Sequence, residues 1–581
     1  MDRKNLIILV KILAAAGLLY LGTEHYDFIA KMKDLKFNHG YPGIIIFIIL
    51  WLLCTASLVT TMFLPNKFVR MLLAFVIFCA TLTGLTYTNI SGALLVYDNL
   101  YALIENANYA DGVLQQYTHE LMVPLLISSL SFLIIIPPPR QTVEKLKTKF
   151  RSAAAYITAF LPFAVLLMIA IMRSGYGLAQ TPIQYYIPAL FVLIESDNLS
   201  FGENVRNNAA YAHIKENPGH QMNVVLIVDE SVRGDYLDIN GQNKGITPYL
   251  FSHRDRVVNF GLASSGANSS AESNQILRYG PNINDFYYTF KKNAYIWQYA
   301  KKAGYKTIFL DAQGTKGKFN NRMVESERAL IDEFIYIKGT TNLEKDINIA
   351  KFIRENASRR NSKPLFIYAL KMGIHFPYDN IVPEDKRLFI KKNSNFTSIS
   401  RQDLINSYKN AIYYVINPFF RDLLEGVTYE NAVIFYTSDH GQNLLDNGFM
   451  ITHCSTTNVS CYEGLVPLMV ISDNERYRKD FSAAAASNFN KASHFNIFPT
   501  ILSVFGYDRN ETGRYHGKTL FDEITEPRKF SSGLLVINRL SLGDAAKNNW
   551  NYLPDSVAAP GNASGSVALG PGSPAQESSR H

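Results

Sequence analysis

Cysteine is scarce, with four residues in a chain of 581. That number excludes a disulfide-built scaffold and any thiolate zinc module, which needs more Cys or His at tighter spacing. Cys54 and Cys79 fall inside apolar runs, where a thiol acts as a small buried hydrophobe. Cys454 and Cys461 stand seven positions apart in the polar half, and a lone pair of this kind is expected to close as a disulfide in an oxidising compartment. A concentrated basic stripe is also missing. The formal charge is +8, yet the lysines and arginines are scattered and many flank apolar runs, which argues against nucleic acid as a partner. No internal repeat is evident.

Long apolar runs dominate residues 1–173. Five segments, roughly 5–24, 42–64, 71–90, 121–139 and 154–173, are long enough to consider as membrane spans. The first contains Lys11 but shows no small-residue cleavage site, so it reads as a retained helix rather than a signal peptide. Positive charge sets the orientation. Arg3 and Lys4, then Lys67 and Arg70, then Arg140, Lys145, Lys147, Lys149 and Arg151 belong together on the cytoplasmic side. Residues 91–120 hold no Lys or Arg but carry Asp98, Glu105, Asp111 and Glu120, and belong outside. The first outer loop is a mild violation, with Lys31, Lys33 and Lys36 partly offset by Glu24, Asp27 and Asp34. An odd number of spans then puts everything after residue 173 outside, in agreement with the expected disulfide. Residues 174–220 form a bridge, whose apolar run Ile183–Ile194 reads equally as an interfacial helix or a packed connector.

Residues 221–525 look like a soluble α/β domain. Val224–Val228, Thr307–Leu310, Leu365–Leu370, Ala432–Tyr436 and Leu468–Ile471 read as buried parallel strands. Helix-like segments such as Asn293–Ala303 and Asp403–Phe420 separate them, which predicts an α/β sandwich. Residues 526–581 form a C-terminal extension. From about Asn551 it is rich in Gly, Ala, Ser and Pro, and is expected to be disordered.

The strand ends share a chemical character. Asp229 and Glu230 come after the first strand, Asp311 after the second, His375 after the third, and Asp439 and His440 after the fourth. Open α/β sheets bind ligands beyond the carboxyl ends of their strands, so one edge collects carboxylates and imidazoles suited to Zn²⁺ or a similar ion. A lone Asp after a strand is usually a cap or turn residue, but recurrence on successive strands points to a shared site. Candidate nucleophiles lie in the run from Ser264 to Asn274, just ahead of a better helix former. A hydroxyl at a helix N-terminus sits in a field that favours phosphate, although taken alone these serines read as simple caps.

The combination becomes specific in Asn223–Asn240 (NVVLIVDESVRGDYLDIN), Thr247-Pro248, Ser270-Ala271-Glu272-Ser273, His375-Phe376-Pro377, Ser438-Asp439-His440-Gly441, Thr452-His453-Cys454 and Ser493-His494-Phe495-Asn496. This order resembles the phosphoethanolamine transferases of Gram-negative bacteria, members of the alkaline phosphatase and sulfatase superfamily. The resemblance covers most of the chain up to about residue 525. It implies a helical membrane domain of five spans (1–173) joined to an α/β sandwich of alkaline phosphatase/sulfatase type, in a multi-pass inner-membrane protein with a periplasmic catalytic domain.

The resemblance further implies a zinc bound by Glu230, Asp439, His440 and the nucleophile, with His375 and His453 contacting a second metal or the substrate phosphate. The family pattern Thr-Ala-x-Ser places the nucleophile at Ser270, whereas counting from Gly266 would place it at Ser269, which then remains a substrate contact. Asp111, in the acidic outer loop, would meet the donor amine or be an ordinary solvated acid. Departures exist. The family has several disulfides, one bracketing the nucleophile, where this chain has Ser265, and Phe495 stands where relatives often have Asp.

The implied chemistry has two steps. Zinc-activated Ser270 attacks the phosphate of phosphatidylethanolamine, diacylglycerol leaves, and a surface glycan or glycolipid, lipopolysaccharide lipid A or core foremost, takes the group from the phosphoserine. The expected form is a monomer. A lipoteichoic-acid-type glycerol-phosphate transferase is the nearest rival, and the contexts of Glu230 and Asp439 favour the ethanolamine branch. A sulfatase proper is disfavoured, because neither Cys-x-Pro-x-Arg nor Ser-x-Pro-x-Arg occurs, and a non-catalytic scaffold would require loss of the ligands, which are present. Lipid A, core heptose, periplasmic glucan and capsule all remain open as acceptors.

Overall fold

The computed structural model describes residues 3–23, 28–92, 95, 117–137, 149–172, 222–241, 244–314, 321–391, 400–455, 458–532 and 550–554. Asp111 and the bridge 174–220 lie outside the described residues. Among the described residues, the apolar half holds five helices, α1 (Arg3–Thr23), α2 (Phe28–Thr61), α3 (Lys67–Ser91), α4 (Thr118–Ile135) and α5 (Lys149–Met172).

Among the described residues, Gly40–Thr61 and Lys67–Ser91 are long and apolar enough to cross a membrane, while Asn5–Leu21, Glu120–Ile135 and Ala153–Met168 are shorter apolar stretches. Helices thus occur in all five expected segments. In α2 the backbone bends at Gly40, where φ is 65°, ahead of Pro42.

Ile45, Ile49, Leu52, Leu126 and Leu133 are exposed. An apolar surface of this kind suits lipid rather than water. Lys11 is buried, and its Nζ donates to Met62 O and Ile135 O, each at 2.9 Å. Arg70 Nε donates to Ile136 O at 2.8 Å. These cations satisfy carbonyls left open where α2 and α4 end. They gather both helix ends with the start of α3 on one side of the bundle, as the charge pattern requires.

The polar half is built on a seven-stranded sheet of β1 (Asn223–Asp229), β2 (Val258–Ser264), β3 (Lys306–Asp311), β4 (Glu333–Tyr336), β5 (Leu365–Leu370), β6 (Ala432–Ser438) and β7 (Leu465–Ile471), in the order β2-β7-β6-β1-β5-β3-β4. Strands β6, β1, β5, β3 and β4 are parallel. The expectation of a parallel Leu468–Ile471 is corrected, since β7 runs antiparallel to both β6 and β2. A parallel return needs a crossover over one sheet face. Among the described residues, the connection from β6 to β7 contains only the short 3₁₀ turn Cys461–Gly464.

Side chains alternate across the central strands, as the period of two demands. Val224, Leu226 and Val228 of β1 pack with Ile276, Trp297 and Ile501 on one face. Val225 and Ile227 pack with Ile349, Ile353, Ile412 and Phe419 on the other. The helices Asn342–Ala357 and Arg401–Leu424 cover that second face. The α/β sandwich expected from the strand–helix alternation is therefore present.

The domain does not end near residue 525. Lys529–Ser531 (β8) pairs antiparallel with Trp550–Tyr552 (β9). Asn551, expected to begin a disordered tail, lies in β9, because Trp550 sets its ring edge-on to Phe286 with centroids 5.5 Å apart.

Candidate metal and phosphoryl-transfer site

Strands β1 and β6 are neighbours in register, with Asp229 opposite Ser438. The residues just beyond them therefore emerge side by side at the carboxyl edge of the sheet. After β1 the chain turns through Ser231, at φ 66°. Ser231 N and His440 N both donate to Asp439 Oδ1, at 3.0 and 2.7 Å.

Glu230, Asp439 and His440 are buried, and one donor atom from each lies within 4.8 Å of the others. His440 Nδ1 sits 2.7 Å from Gly441 O. A carbonyl only accepts, so Nδ1 carries the proton and Nε2 turns its lone pair into the cluster. That nitrogen lies 3.5 Å from Glu230 Oε1 and 3.6 Å from Asp439 Oδ2.

Ser270 completes the group. It opens the helix Ser270–Tyr279, and its Oγ is 3.2 Å from Glu230 Oε2 and 3.2 Å from His440 Nε2. Ser269 takes the extended N-cap position, but its side chain makes no cap hydrogen bond. It is Ser270 whose hydroxyl meets the carboxylate and imidazole.

The electrostatics of this cluster suit a divalent cation. Burial, and then the charge of Glu230, pushes the Asp439 carboxyl up to about 8. Burial raises Glu230 as well. Asp439 Oδ2 has no hydrogen-bond partner among the described residues. Two facing carboxylates with an orphaned oxygen, one imidazole and one hydroxyl make a four-donor set of the kind zinc takes. The residues fit the ion.

The two further histidines lie beside this cluster. The His453 ring stacks on that of His440 at 4.3 Å between centroids, and His375 meets His453 edge-on at 6.0 Å. His375 Nδ1 donates to Phe376 O at 2.6 Å. Burial lowers the pKa of both imidazoles, which favours their neutral forms.

Asp311, at the end of β3, serves as a turn residue. Its Oδ1 accepts from Gln313 N and Gly314 N at 2.9 and 2.7 Å. That turn delivers a residue with no motif to announce it: Gln313 Nε2 donates to Glu230 Oε2 at 3.0 Å.

The loop ahead of Ser270 is held from several sides. Gly266 N donates to His494 Nδ1 at 3.1 Å. Ser531 of β8 donates its N–H to Gly266 O and accepts from Asn268 N, both at 3.0 Å. The C-terminal extension thus braces the nucleophile loop.

The disulfide expectation is corrected: Cys454 and Cys461 are not bridged. A carboxylate does the tying instead. Glu463 accepts from Ser455 N and Asn268 Nδ2 through Oε2, at 3.2 and 2.7 Å, and from Ser460 N through Oε1, at 3.1 Å. Burial raises both thiols, which suppresses their thiolates.

The membrane helices reach this site. Met450 N donates to Ile90 O at 3.0 Å. Gly92, in the left-handed conformation at the end of α3, leaves no room for a Cβ, which would fall 2.0 Å from Phe449 Cε1. Tyr117, at the start of α4, packs on Phe376 with ring centroids 6.0 Å apart. Both histidine-bearing loops therefore touch the membrane domain.

Comparison with known proteins places these features. Residues 222–507 match the family model Sulfatase. Phosphoethanolamine transferase EptA of Helicobacter pylori is 24% identical over 448 residues, covering 73% of this chain and 81% of that protein. Kdo(2)-lipid A phosphoethanolamine 7''-transferase of Salmonella typhimurium is 22% identical, covering 55% of this chain and 58% of its own length. The solved integral membrane lipooligosaccharide phosphoethanolamine transferase A of Neisseria meningitidis shares the fold over 87% of this chain and 96% of its own, at 16% identity and a TM-score of 0.54. Residues 222–507 thus resemble the Sulfatase family, and the relatives named here are phosphoethanolamine transferases.

Proposed function

We propose that this protein transfers phosphoethanolamine from phosphatidylethanolamine to a lipopolysaccharide-type surface glycolipid, through a phosphoserine at Ser270. The observation that carries the proposal is the Ser270 hydroxyl, at a helix N-terminus and 3.2 Å from both Glu230 and His440. The phosphoethanolamine transferases that resemble the chain over most of its length support the choice of group.

Glu230, Asp439, His440 and Ser270 would hold the zinc ion. When bound, zinc supplies Lewis-acid stabilisation of charge on the serine and phosphate oxygens. Ser270 Oγ forms the new bond to phosphorus, the bond to the diacylglycerol oxygen breaks, and the serine proton leaves with diacylglycerol. An acceptor oxygen then attacks the phosphoserine, restoring the Ser270 hydroxyl as the acceptor proton is returned. His375 and His453 present neutral imidazoles to the phosphate, and the peptide N–H groups that open the helix Ser270–Tyr279 favour its negative charge. Mass spectrometry of surface glycolipids should show a phosphoethanolamine increment only in cells that carry the gene. Transfer of glycerol phosphate instead would defeat the proposal.

The proposed topology has five spans, with the catalytic domain in the periplasm. Helices α1, α4 and α5 complete the bundle around Gly40–Thr61 and Lys67–Ser91. Reporter fusions after Arg173 should be active outside and silent in the cytoplasm. The reverse pattern rules this orientation out.

The junction with the membrane domain gives a second expectation. Gly92→Val inserts carbon where Phe449 lies, which should displace the loop bearing His453. Transfer should fall on the order of 10- to 100-fold, while zinc content stays near one equivalent. Unchanged transfer would show that the junction does not position His453.

A further inference from the structure

Lys371 lies just beyond β5, fully buried, and no step of the proposed reaction uses it. Its ammonium donates to Asp229 Oδ2 and lies 3.5 Å from Asp346 Oδ2. Both carboxylates are also fully buried. The Phe419 ring lies under the ammonium at 3.8 Å. We infer that Lys371 is a positioning residue for Glu230, an inference that rests on reading Glu230 as a metal ligand.

Two routes connect Lys371 to Glu230. The first runs through its side chain. Asp229 Oδ2 takes Lys371 and the Tyr436 hydroxyl, the latter at 2.6 Å, which aims Oδ1 at Glu230 N, 2.9 Å away. The second runs through its backbone. Lys371 O accepts from Gln313 Nε2 at 2.8 Å, and the same amide donates to Glu230 Oε2 at 3.0 Å.

The next turn of the chain grips Glu230 from a third side. Ile374 N donates to Glu230 O at 3.2 Å. Gly373, at φ 56°, permits that approach, since a Cβ there would come 2.6 Å from the same oxygen. Asp346 secures this turn, accepting from Met372 N and Gly373 N at 2.8 and 3.1 Å.

Charge explains why the anchor is a lysine. Asp229 and Asp346 place two carboxylates behind a metal ligand that is itself a carboxylate. Lys371 supplies the cation that offsets them and holds Asp229 Oδ2 in place. Without it, Asp229 loses a donor, and Glu230 loses its fixed approach. Partners of this kind, one shell out from a metal, govern how tightly the ion is held.

The test uses the full-length chain in detergent, with zinc affinity read by competition against a chromogenic chelator. Lys371→Met is expected to weaken zinc binding by about 10- to 100-fold and to lower kcat while leaving KM for the donor lipid unchanged. Asp229→Asn keeps an oxygen for Glu230 N but removes the charge, and should give a smaller loss. The double variant Asp229→Asn/Lys371→Met should hold zinc more tightly than Lys371→Met alone. Thermal melts identify which variants fold. A folded Lys371→Met protein with wild-type zinc affinity and kcat overturns the inference. If Lys371→Met does not fold, wild-type zinc affinity in Asp229→Asn overturns it. Because zinc binding is measured without lipid, its loss supports the positioning role whichever group the enzyme transfers.

Discussion

Ser270→Ala is expected to reduce transfer by about 10⁴-fold or more, with the fold nearly intact and zinc still held by Glu230, Asp439 and His440. The substitution removes the one oxygen placed 3.2 Å from both Glu230 Oε2 and His440 Nε2. Ser269 occupies the extended residue before the helix, so its side chain leaves the backbone in a different direction. Ser269→Ala should therefore cost far less. The fold tolerates both changes, because the loop ahead of Ser270 is held by backbone groups of Gly266 and Asn268 and not by either hydroxyl. Incubation with donor lipid and no acceptor should trap phosphoethanolamine on the peptide containing Ser270. A label on Ser269 would move the nucleophile by one residue. A fully active Ser269→Ala/Ser270→Ala protein that never becomes labelled would end the covalent mechanism.

Much of this site is legible in the sequence because strand ends in an α/β sheet converge. Glu230, Asp439 and His440 each come just after an apolar strand, and adjacency of β1 and β6 brings them together. Asp311 satisfies the same rule and is a turn residue, so position after a strand identifies candidates without assigning roles. Elements that depend on tertiary partners are harder to read. Strand β2 contains Gly261 at φ 78° and an irregular register beside Leu262, which hides its alternation. Strand β4 is a four-residue edge strand. Strand β9 owes its order to the packing of Trp550. The cysteine spacing suggests a covalent tie, but Glu463 makes the same connection with hydrogen bonds from residues no motif links. Gln313 and Lys371 are invisible in the sequence for a related reason: their importance lies in what they touch, not in their spacing.

Asp439→Asn should empty the metal site while sparing the fold, and the geometry explains both halves of that expectation. Oδ1 accepts from Ser231 N and His440 N, and an asparagine oxygen in that position keeps both bonds. The other carboxylate oxygen has no partner among the described residues and lies 3.6 Å from His440 Nε2. Asparagine would put an N–H donor there, turned toward the place a cation would occupy, and would remove one negative charge. Zinc affinity should drop on the order of 100-fold or more, and turnover with it. Burial is the main cause of the raised Asp439 pKa, followed by repulsion from Glu230. Asparagine removes the cost of burying and protonating that carboxyl, so the thermal stability of the zinc-free variant should match or exceed that of the zinc-free wild type. Metal analysis, a transfer assay and paired melts on the same preparations check all three. Chelation of zinc from the wild type should produce the same loss of transfer, and re-addition of zinc should restore wild-type activity but not that of the variant. A purified Asp439→Asn protein with full zinc and full turnover would remove Asp439 from the ligand set.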